Sequence, residues 1–235
     1  MEDNRLIQIR ESERKSHIEM YSNDELYKEG SWLRKPIKTV LDIIPLFEKN
    51  EEINVLDLGC GVGRNCICIA RHYHDRLCKI DCVDILDLAI EKLYANAEEY
   101  GVTSNICGIV KPIECYPIKE NNYDLIIVVS SLEHVDTEES FVNKLYEMEK
   151  GVRKNGIVCL VLNSNVRELD KKTGCEIPAQ FEVNLATEEL QELCKKIFDK
   201  WTVLKSTIAE QQYDIPRDNG INELRTSVVT FVARH

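Results

Sequence analysis

The sequence has no long hydrophobic run. Its longest apolar stretches, residues 125–130 and 157–162, are far shorter than the roughly 20 apolar residues of a transmembrane helix. The first ten residues, MEDNRLIQIR, are charged and contain no apolar centre, which argues against a secretory signal peptide. We therefore expect a cytoplasmic protein without a membrane partner.

Basic charge is also scarce. Lysine and arginine number 30 against 41 aspartate and glutamate residues, which gives a net charge of −11. Nucleic acid backbones are bound by stripes of Lys and Arg. The charge balance thus disfavours a nucleic acid partner, and the sequence leaves the oligomeric state open.

Paired metal-binding cysteines are missing as well. The ten cysteines include no C-x-x-C pair, so neither a zinc ribbon nor a thioredoxin-like site is supported. Without a secretion signal we expect free thiols, most of them acting as small hydrophobic residues. His72 and His74 lack a visible third ligand, so no metal site is predicted.

Linkers rich in proline or glycine and internal repeats are absent. This predicts one domain at residues 36–235 behind an N-terminal helical extension or lid at residues 1–35. Apolar strand patterns alternate with helix patterns along the domain, which predicts an α/β fold with a parallel sheet and helices on both faces. The last two strand patterns have no helix between them and should form an antiparallel hairpin. A ligand is expected at the carboxyl ends of the strands.

Two segments carry local expectations. Near the start of the domain, one helix face is predicted from Ile37, Val40, Leu41 and Ile44, and Pro45 should end or kink that helix. After the fifth strand, the polar stretch at residues 163–180 is expected to form either a surface loop or a lid on the substrate side.

A glycine-rich loop follows the first strand, in the stretch VLDLGCGVGRN at residues 55–65. It has no Lys-Ser or Lys-Thr after the glycines, so a nucleoside triphosphate loop is unsupported. The dinucleotide pattern G-x-G-x-x-G fails because Arg64 stands where the third glycine belongs. Asp57, two residues before Gly59, would repel a pyrophosphate. It suits a ligand that carries an amino group.

The pattern D-x-G-x-G-x-G, from Asp57 to Gly63, resembles motif I of class I S-adenosylmethionine-dependent methyltransferases. The resemblance continues with CVDI, in which Asp84 ends the second strand, with the fourth-strand stretch YDLIIVVSSLEHV, and with GVRKNGIVCLVL. It covers residues 36–235. It implies a Rossmann-like seven-stranded sheet of order 3-2-1-4-5-7-6 with the last strand antiparallel. It also implies S-adenosylmethionine as cofactor and S-adenosylhomocysteine as product.

A narrower resemblance rests on the Gly-Arg-Asn at the end of the loop and on the C-terminal segment. Both are similar to the tellurite-resistance methyltransferase group and its thiopurine-methyltransferase-like relatives. An Asn/Asp-Pro-Pro-Tyr stretch, which base and glutamine methyltransferases carry after the fourth strand, is absent. A small molecule is therefore the expected methyl acceptor, and the alternatives are a protein or RNA methyltransferase and a non-catalytic cofactor-binding module.

The resemblance implies a set of cofactor contacts. The glycines would let the backbone approach the ligand, Asp57 would serve the loop amides or the ammonium group, and Asp84 would accept the ribose hydroxyls. Because Pro112 stands where the family often has an Asp, the adenine amino group would donate to another acceptor, either Glu114 or a backbone carbonyl. The expected cofactor-binding residues are Asp57, Gly59, Cys60, Gly61, Gly63, Arg64, Asn65, Asp84, Ile85, Ile113, Glu114, Val129 and Ser130.

On the acceptor side, His134 follows the fourth strand and is the candidate general base, with loop orientation as its alternative role. Methyl transfer from a sulfonium needs mainly proximity and alignment, so a base is required only for a protonated nucleophile. The candidate substrate residues are Trp32, Arg34 and Asn163.

Overall fold

A mixed β-sheet forms the centre of the computed structural model, which describes residues 2–217 and 220–235, with side chains from residue 6 onward. Its strands are β1 (Glu52–Leu58), β2 (Leu77–Asp84), β3 (Ile106–Val110), β4 (Tyr123–Val129), β5 (Val152–Asp170), β6 (Glu176–Ile177), β7 (Thr202–Arg217) and β8 (Gly220–Arg234). The helices are α1 (Glu2–Asn23), α2 (Lys38–Ile43), α3 (Cys66–His72), α4 (Asp87–Glu99), α5 (Glu138–Gly151) and α6 (Thr187–Ile197). Short 3-10 turns lie at Ile44–Phe47, Thr103–Asn105, Ile113–Cys115 and Leu132–His134.

The strand order is β3-β2-β1-β4-β5-β8-β7, and β6 pairs with β5 beside this path. The first five strands are parallel to one another, whereas β8 runs antiparallel to both β5 and β7. The seven long strands thus have the expected order 3-2-1-4-5-7-6, and the expected final hairpin is confirmed. The two-residue β6 adds an eighth strand that the sequence did not predict.

Apolar residues on alternating sides of the strands build one core on each face of the sheet. In β1, Val55 points into the core that contains α2, α3 and α4, while Leu56 points into the core beneath α5 and α6. This layering brings the carboxyl ends of β1, β2 and β4 together at one edge, where the glycine loop begins.

The helix expected after Pro36 is shorter than its sequence pattern. Val40 and Ile44 are buried, but Leu41 is 41% exposed, so its predicted place on the core face was wrong. The α-helix ends at Ile43 and continues as a 3-10 turn that contains Pro45, as expected for a proline. Because the helix has only six residues, fewer side chains face the core than the four that the sequence pattern predicted.

The surface-loop expectation for residues 163–180 was wrong for residues 163–170, which are strand, and the lid alternative stays a prediction. Strand β5 continues to Asp170 and, with β7 and β8, carries the sheet beyond its parallel part. Glu168 is fully buried there, and it accepts bonds from Arg217 at 2.9 and 3.1 Å and from Asn222 at 2.7 Å. Paired charges inside the strands gave this segment the composition of a loop. We call residues 163–170, 208–217 and 220–228 the sheet extension.

Helix α1 lies within the predicted N-terminal extension, whose first residue is outside the described part. The division at residues 35 and 36 stays a prediction. In the described parts of the chain, no helix is long and apolar enough to cross a membrane, and no group of three or more His, Cys, Asp or Glu side chains could hold a metal ion. The predicted cytoplasmic location also stays a prediction.

Candidate functional site

The glycine loop is fixed against the end of β2. The N–H groups of Gly59 and Cys60 both donate to the carbonyl oxygen of Val83, at 2.8 and 3.0 Å. Gly59, Gly61 and Gly63 have φ angles of 75°, 52° and 97°. Residues other than glycine rarely adopt this left-handed region. The three alternating glycines are therefore required by the backbone path itself.

Two of these glycines also have a packing reason. A Cβ atom at Gly59 would lie 2.2 Å from the Cβ atom of Ser131, whose hydroxyl is bonded into the loop. A Cβ atom at Gly63 would lie 2.7 Å from both Ile67 and Leu93. The missing side chains at these two positions are thus explained by contacts within the protein, without a ligand.

Gly61 differs because its missing side chain faces the N-terminal helix. A Cβ atom there would lie 2.7 Å from the Oη atom of Tyr21. The N–H group of Gly61 donates to Oδ2 of Asp84 at 2.9 Å. Gly61 thus joins the loop, the acid at the end of β2 and helix α1 at one point.

Asp84 is 8% exposed and holds two backbone groups. Oδ2 accepts from Gly61, and Oδ1 accepts from the N–H of Leu86 at 2.9 Å. Burial raises the pKa of this carboxyl, while the two N–H bonds and the nearby His17 lower it. Because each carboxylate oxygen can accept more than one bond, Asp84 retains capacity for the two hydroxyls of a ribose.

Asp57 at the end of β1 is 1% exposed, and its Oδ2 atom is buried without a hydrogen-bond partner in the described residues. Burial, followed by the charge of Asp84, raises the pKa of Asp57 to about 7. A buried, unpaired carboxylate oxygen is unfavourable unless a donor or a cation satisfies it. The cradle at Gly61 and these two acids therefore fit a nucleoside that carries an ammonium group.

Other expected cofactor residues surround the loop. Cys60 is buried, and its thiol lies 3.5 Å from the carbonyl oxygen of Gly61. Ile113 is 9% exposed, with Cδ1 3.7 Å from the Cβ position of Gly59, whereas Ile85 is 48% exposed directly after the acid of β2. Ile113 is thus already packed within the protein, whereas Ile85 is open to solvent.

At the end of β4, Val129 is half-buried and Ser130 is exposed with a φ angle of 49°. The Ser130 N–H donates to the carbonyl oxygen of Val161 at 2.8 Å. This left-handed residue turns the chain away from the sheet and towards His134. Both expected residues lie where strand and turn meet.

Arg64 and Asn65 lie beside the loop, but their described contacts are with the segment that follows α1. The Arg64 Nε donates to the carbonyl oxygen of Lys35 at 2.9 Å, and the guanidinium lies 5.3 Å from the centre of the Trp32 ring. Asn65 occupies the N-cap position of α3 but makes no capping bond, and its Oδ1 accepts from the N–H of Ile37 at 3.2 Å. These two residues tie the loop to residues 32–37.

Glu114 already has a protein partner. It forms an ion pair with Arg10 of α1 at 2.7 Å, and its side chain is 12% exposed. In this conformation the expected acceptor for the adenine amino group is therefore engaged by the N-terminal helix. The sequence pattern contained no signal that residues 104 positions apart would pair.

His134 is paired with an acid that the sequence did not single out. Its Nδ1 lies 2.8 Å from Oε2 of Glu182, and its ring centre lies 5.1 Å from that of Phe181. Although burial lowers it, the pairing with Glu182 and the charges of Glu13 and Glu133 raise the pKa of His134 to about 9. Pairing with Glu182 thus favours the protonated ring, which can donate hydrogen bonds, and the general-base role of His134 stays a prediction.

Asn163 is occupied by a buried acid of the neighbouring turn. Its side-chain Nδ2 donates to Oε1 of Glu133 at 2.7 Å, and its backbone N–H donates to the same oxygen. Its Oδ1 accepts from Thr226 at 3.2 Å. These bonds give Asn163 a structural role at the floor of the acceptor side, and they leave Oε2 of Glu133 without a partner among the described residues.

The other two expected substrate residues lie outside this floor. Trp32 is 45% exposed under the Arg64 guanidinium, and Arg34 is exposed in the same turn. Helix α1 instead lies beside the turn that carries His134, through the acid Glu182. Its Arg10 reaches Glu182 at 3.8 Å, in addition to the Glu114 pair. The sequence predicted a helical extension or lid at residues 1–35, but it carried no signal of the residues with which α1 pairs.

A D-x-G-x-G-x-G loop after β1, an acid at the end of β2 and a sheet of order 3-2-1-4-5-7-6 together define a Rossmann-like methyltransferase fold. Known proteins agree with this. Residues 55–156 match the family described as methyltransferase domain. The crystal structure of TehB from Haemophilus influenzae superimposes with a TM-score of 0.59 and 22% identity, over 82% of this chain and 61% of that one.

Curated relatives match shorter segments. Norajmaline N-methyltransferase from Rauvolfia serpentina is 30% identical over 39% of this chain and 30% of its own length. Carboxy-S-adenosyl-L-methionine synthase from Shewanella sediminis is 28% identical over 46% of this chain and 43% of its own length. The chain therefore spans less than half the length of these relatives.

Residues 55–156 are thus similar to the methyltransferase domain family, and the fold is that of Rossmann-like methyltransferases. The resemblance to the tellurite-resistance group is supported at the level of the fold by TehB.

Proposed function

We propose that this protein transfers a methyl group from S-adenosylmethionine to a small-molecule acceptor. The observation that carries the cofactor is the joint placement of Gly61, Asp84 and Asp57, which offers a side-chain-free surface and two acids at one strand edge. The curated N-methyltransferase relative supports the same reaction class.

The loop and the two acids beside it would bind the cofactor and orient it. Asp84 would accept the ribose hydroxyls while holding the N–H groups of Gly61 and Leu86, and Asp57 would face the ammonium group. When bound, S-adenosylmethionine supplies an electrophilic methyl group on a sulfonium. The contribution of the chain is then mainly the alignment of the cofactor with the acceptor.

The acceptor side supports a small substrate. Helix α1 lies beside it, and Arg10, Glu182 and His134 form one charged cluster beneath the helix. The imidazolium of His134 would donate a hydrogen bond to an acceptor atom and so position it. A general-base role would require Glu182 to leave the ring, since this pairing keeps the proton on it.

The test is a methyl-transfer screen with methyl-labelled S-adenosylmethionine and a panel of thiols, selenite, tellurite, small phenols and amines. We expect S-adenosylhomocysteine to form with at least one small acceptor. Label retained above a size cut-off in cell extract would show a protein or RNA acceptor instead. Tight cofactor binding without transfer to any fraction would show a binding module, and a modified cofactor without an acceptor would show cofactor synthesis.

A further inference from the structure

Tyr21 of α1 lies against Gly61, and its ring atoms are the nearest to the position that a side chain at Gly61 would take. The Oη and Cζ atoms of Tyr21 are 2.7 and 3.4 Å from the position of a Cβ atom at Gly61. The ring is 7% exposed and belongs to the core on this face of the sheet. The protein thus places an aromatic side chain where the loop has been left bare.

Tyr21 lies close to Asp84, the acid proposed to bind the ribose, because both contact Gly61. The Tyr21 hydroxyl lies against Gly61, whose N–H donates to Asp84, and burial followed by the charges of Asp84 and Cys60 raises the pKa of Tyr21. His17, one turn earlier, has its ring centre 5.7 Å from that of Tyr21, and its charge also acts on Asp84. Tyr21 therefore lies beside the glycine that Asp84 holds, next to the carboxylate that the cofactor is proposed to use.

The attachment of α1 is mainly polar. Arg10 pairs with Glu114 at 2.7 Å, and Glu13 pairs with Arg217 of the sheet extension at 3.3 Å. Ile9 and Tyr21 are the buried apolar residues among the described side chains of α1. Met20 is partly buried against the core as well, but most side chains of α1 are exposed or half-buried, so the helix can detach at a lower free energy than global unfolding requires.

We propose that α1 is an occluding arm, in which Tyr21 competes with the cofactor for the surface of Gly61 beside Asp84. Cofactor binding then requires Tyr21 to move, and the docked arm lowers the apparent affinity by the fraction of molecules in which it is docked. The identity of the competing ligand rests on the proposed function. The arm also links cofactor and acceptor sides, since Arg10 lies near both Glu114 and Glu182.

Calorimetry with S-adenosylhomocysteine tests this competition. We expect Tyr21→Ala to bind more tightly than the wild type, by about tenfold if the arm is docked in about nine molecules of ten. Tyr21→Phe, which removes only the hydroxyl, should lie between the two. Tyr146→Ala is the matched control, because Tyr146 is an exposed tyrosine on α5, and its affinity should equal that of the wild type. Equal or weaker binding by Tyr21→Ala would overturn the competition.

Hydrogen exchange gives a second readout that does not depend on a variant. If the cofactor displaces the arm, amide exchange in residues 6–23 of the wild type rises when S-adenosylhomocysteine is added. If α1 instead clasps the bound cofactor, exchange in the same residues falls, and the inference is wrong. Binding of S-adenosylhomocysteine by neither the wild type nor Tyr21→Ala would sink the proposed function, an outcome distinct from weaker binding by the variant alone.

Discussion

The carboxylate of Asp84 lies 2.9 Å from the backbone nitrogen of Gly61 and receives its hydrogen bond. This single bond joins the end of β2 to the middle of the glycine loop, and the second oxygen holds the N–H of Leu86 at the start of α4. The acid proposed to bind the ribose is thus also the acid that shapes the loop. Substitutions at this residue must therefore separate the two roles.

Asp84→Asn is expected to weaken S-adenosylhomocysteine binding by more than tenfold. An amide keeps one acceptor oxygen but turns an N–H2 group towards one of the two backbone donors. The variant should also lose about 1–3 kcal/mol of unfolding free energy, the usual range for a buried donor left without an acceptor. Calorimetry and urea unfolding measure the two effects. Asp87→Asn, three residues later and exposed, makes the same charge change as a control. Unchanged affinity in Asp84→Asn would remove Asp84 from the site.

The glycines of the chain should differ in their tolerance of alanine. Gly101 has a φ angle of 68° and open space around it, so Gly101→Ala adds only left-handed strain, roughly 1–2 kcal/mol. Gly59→Ala adds the same strain and also places a Cβ atom 2.2 Å from that of Ser131. This overpacking should cost about 1–3 kcal/mol of further stability. Urea unfolding of the two variants measures this difference. Equal losses would contradict the close contact between Gly59 and Ser131.

The sequence predicted the framework of the site and an N-terminal extension or lid, but it did not predict which residues hold that segment in place. Local apolar patterns predicted the strands and helices, whereas the strand order was implied by the family resemblance of the motifs that contain Asp57, Gly61 and Asp84. The partners of Glu114 and His134 could not be predicted, because each comes from a distant segment whose composition is that of a solvated surface. Charged segments can be buried when their charges form ion pairs, but a single sequence does not show which residues pair.

Asp57→Asn should reduce the pH dependence of stability and weaken cofactor binding. The pKa of Asp57 is raised from 3.8 to about 7, so its contribution is present in full below pH 3.8 and is lost as the pH rises through 7. That shift corresponds to at most about 4 kcal/mol. The variant should therefore lose less stability than the wild type between pH 4 and pH 8, as measured by urea unfolding.

Asp124→Asn is the matched control for Asp57, since Asp124 is a buried acid at the opposite end of β4 whose pKa is also raised by burial. Its substitution should leave S-adenosylhomocysteine affinity unchanged. Equal losses of affinity in both variants would mean that neither acid contacts the ligand and that both act through the fold.

His134→Gln should destabilise the protein in acid and neutral solution but not in alkali. The pKa of His134 is raised from 6.5 to about 9 by Glu182. A raised pKa stabilises the fold fully below pH 6.5, and this stabilisation disappears as the pH rises through 9. The shift corresponds to at most about 3 kcal/mol. Urea unfolding at pH 6 and pH 9.5 should therefore show a large difference between wild type and variant at the lower pH and a small one at the higher.

The control for this pH dependence is His72→Gln, because His72 is a half-exposed histidine at the end of α3 whose partner Glu48 is also exposed. An exposed pair contributes little, so its loss should change stability by less than about 1 kcal/mol at either pH. A difference at His134 that stays the same at pH 6 and pH 9.5 would show packing against Phe181, and the charge of the ring would have no part in it. In that case the imidazole is neutral in the folded protein, and the general-base role on the acceptor side becomes the better assignment for His134.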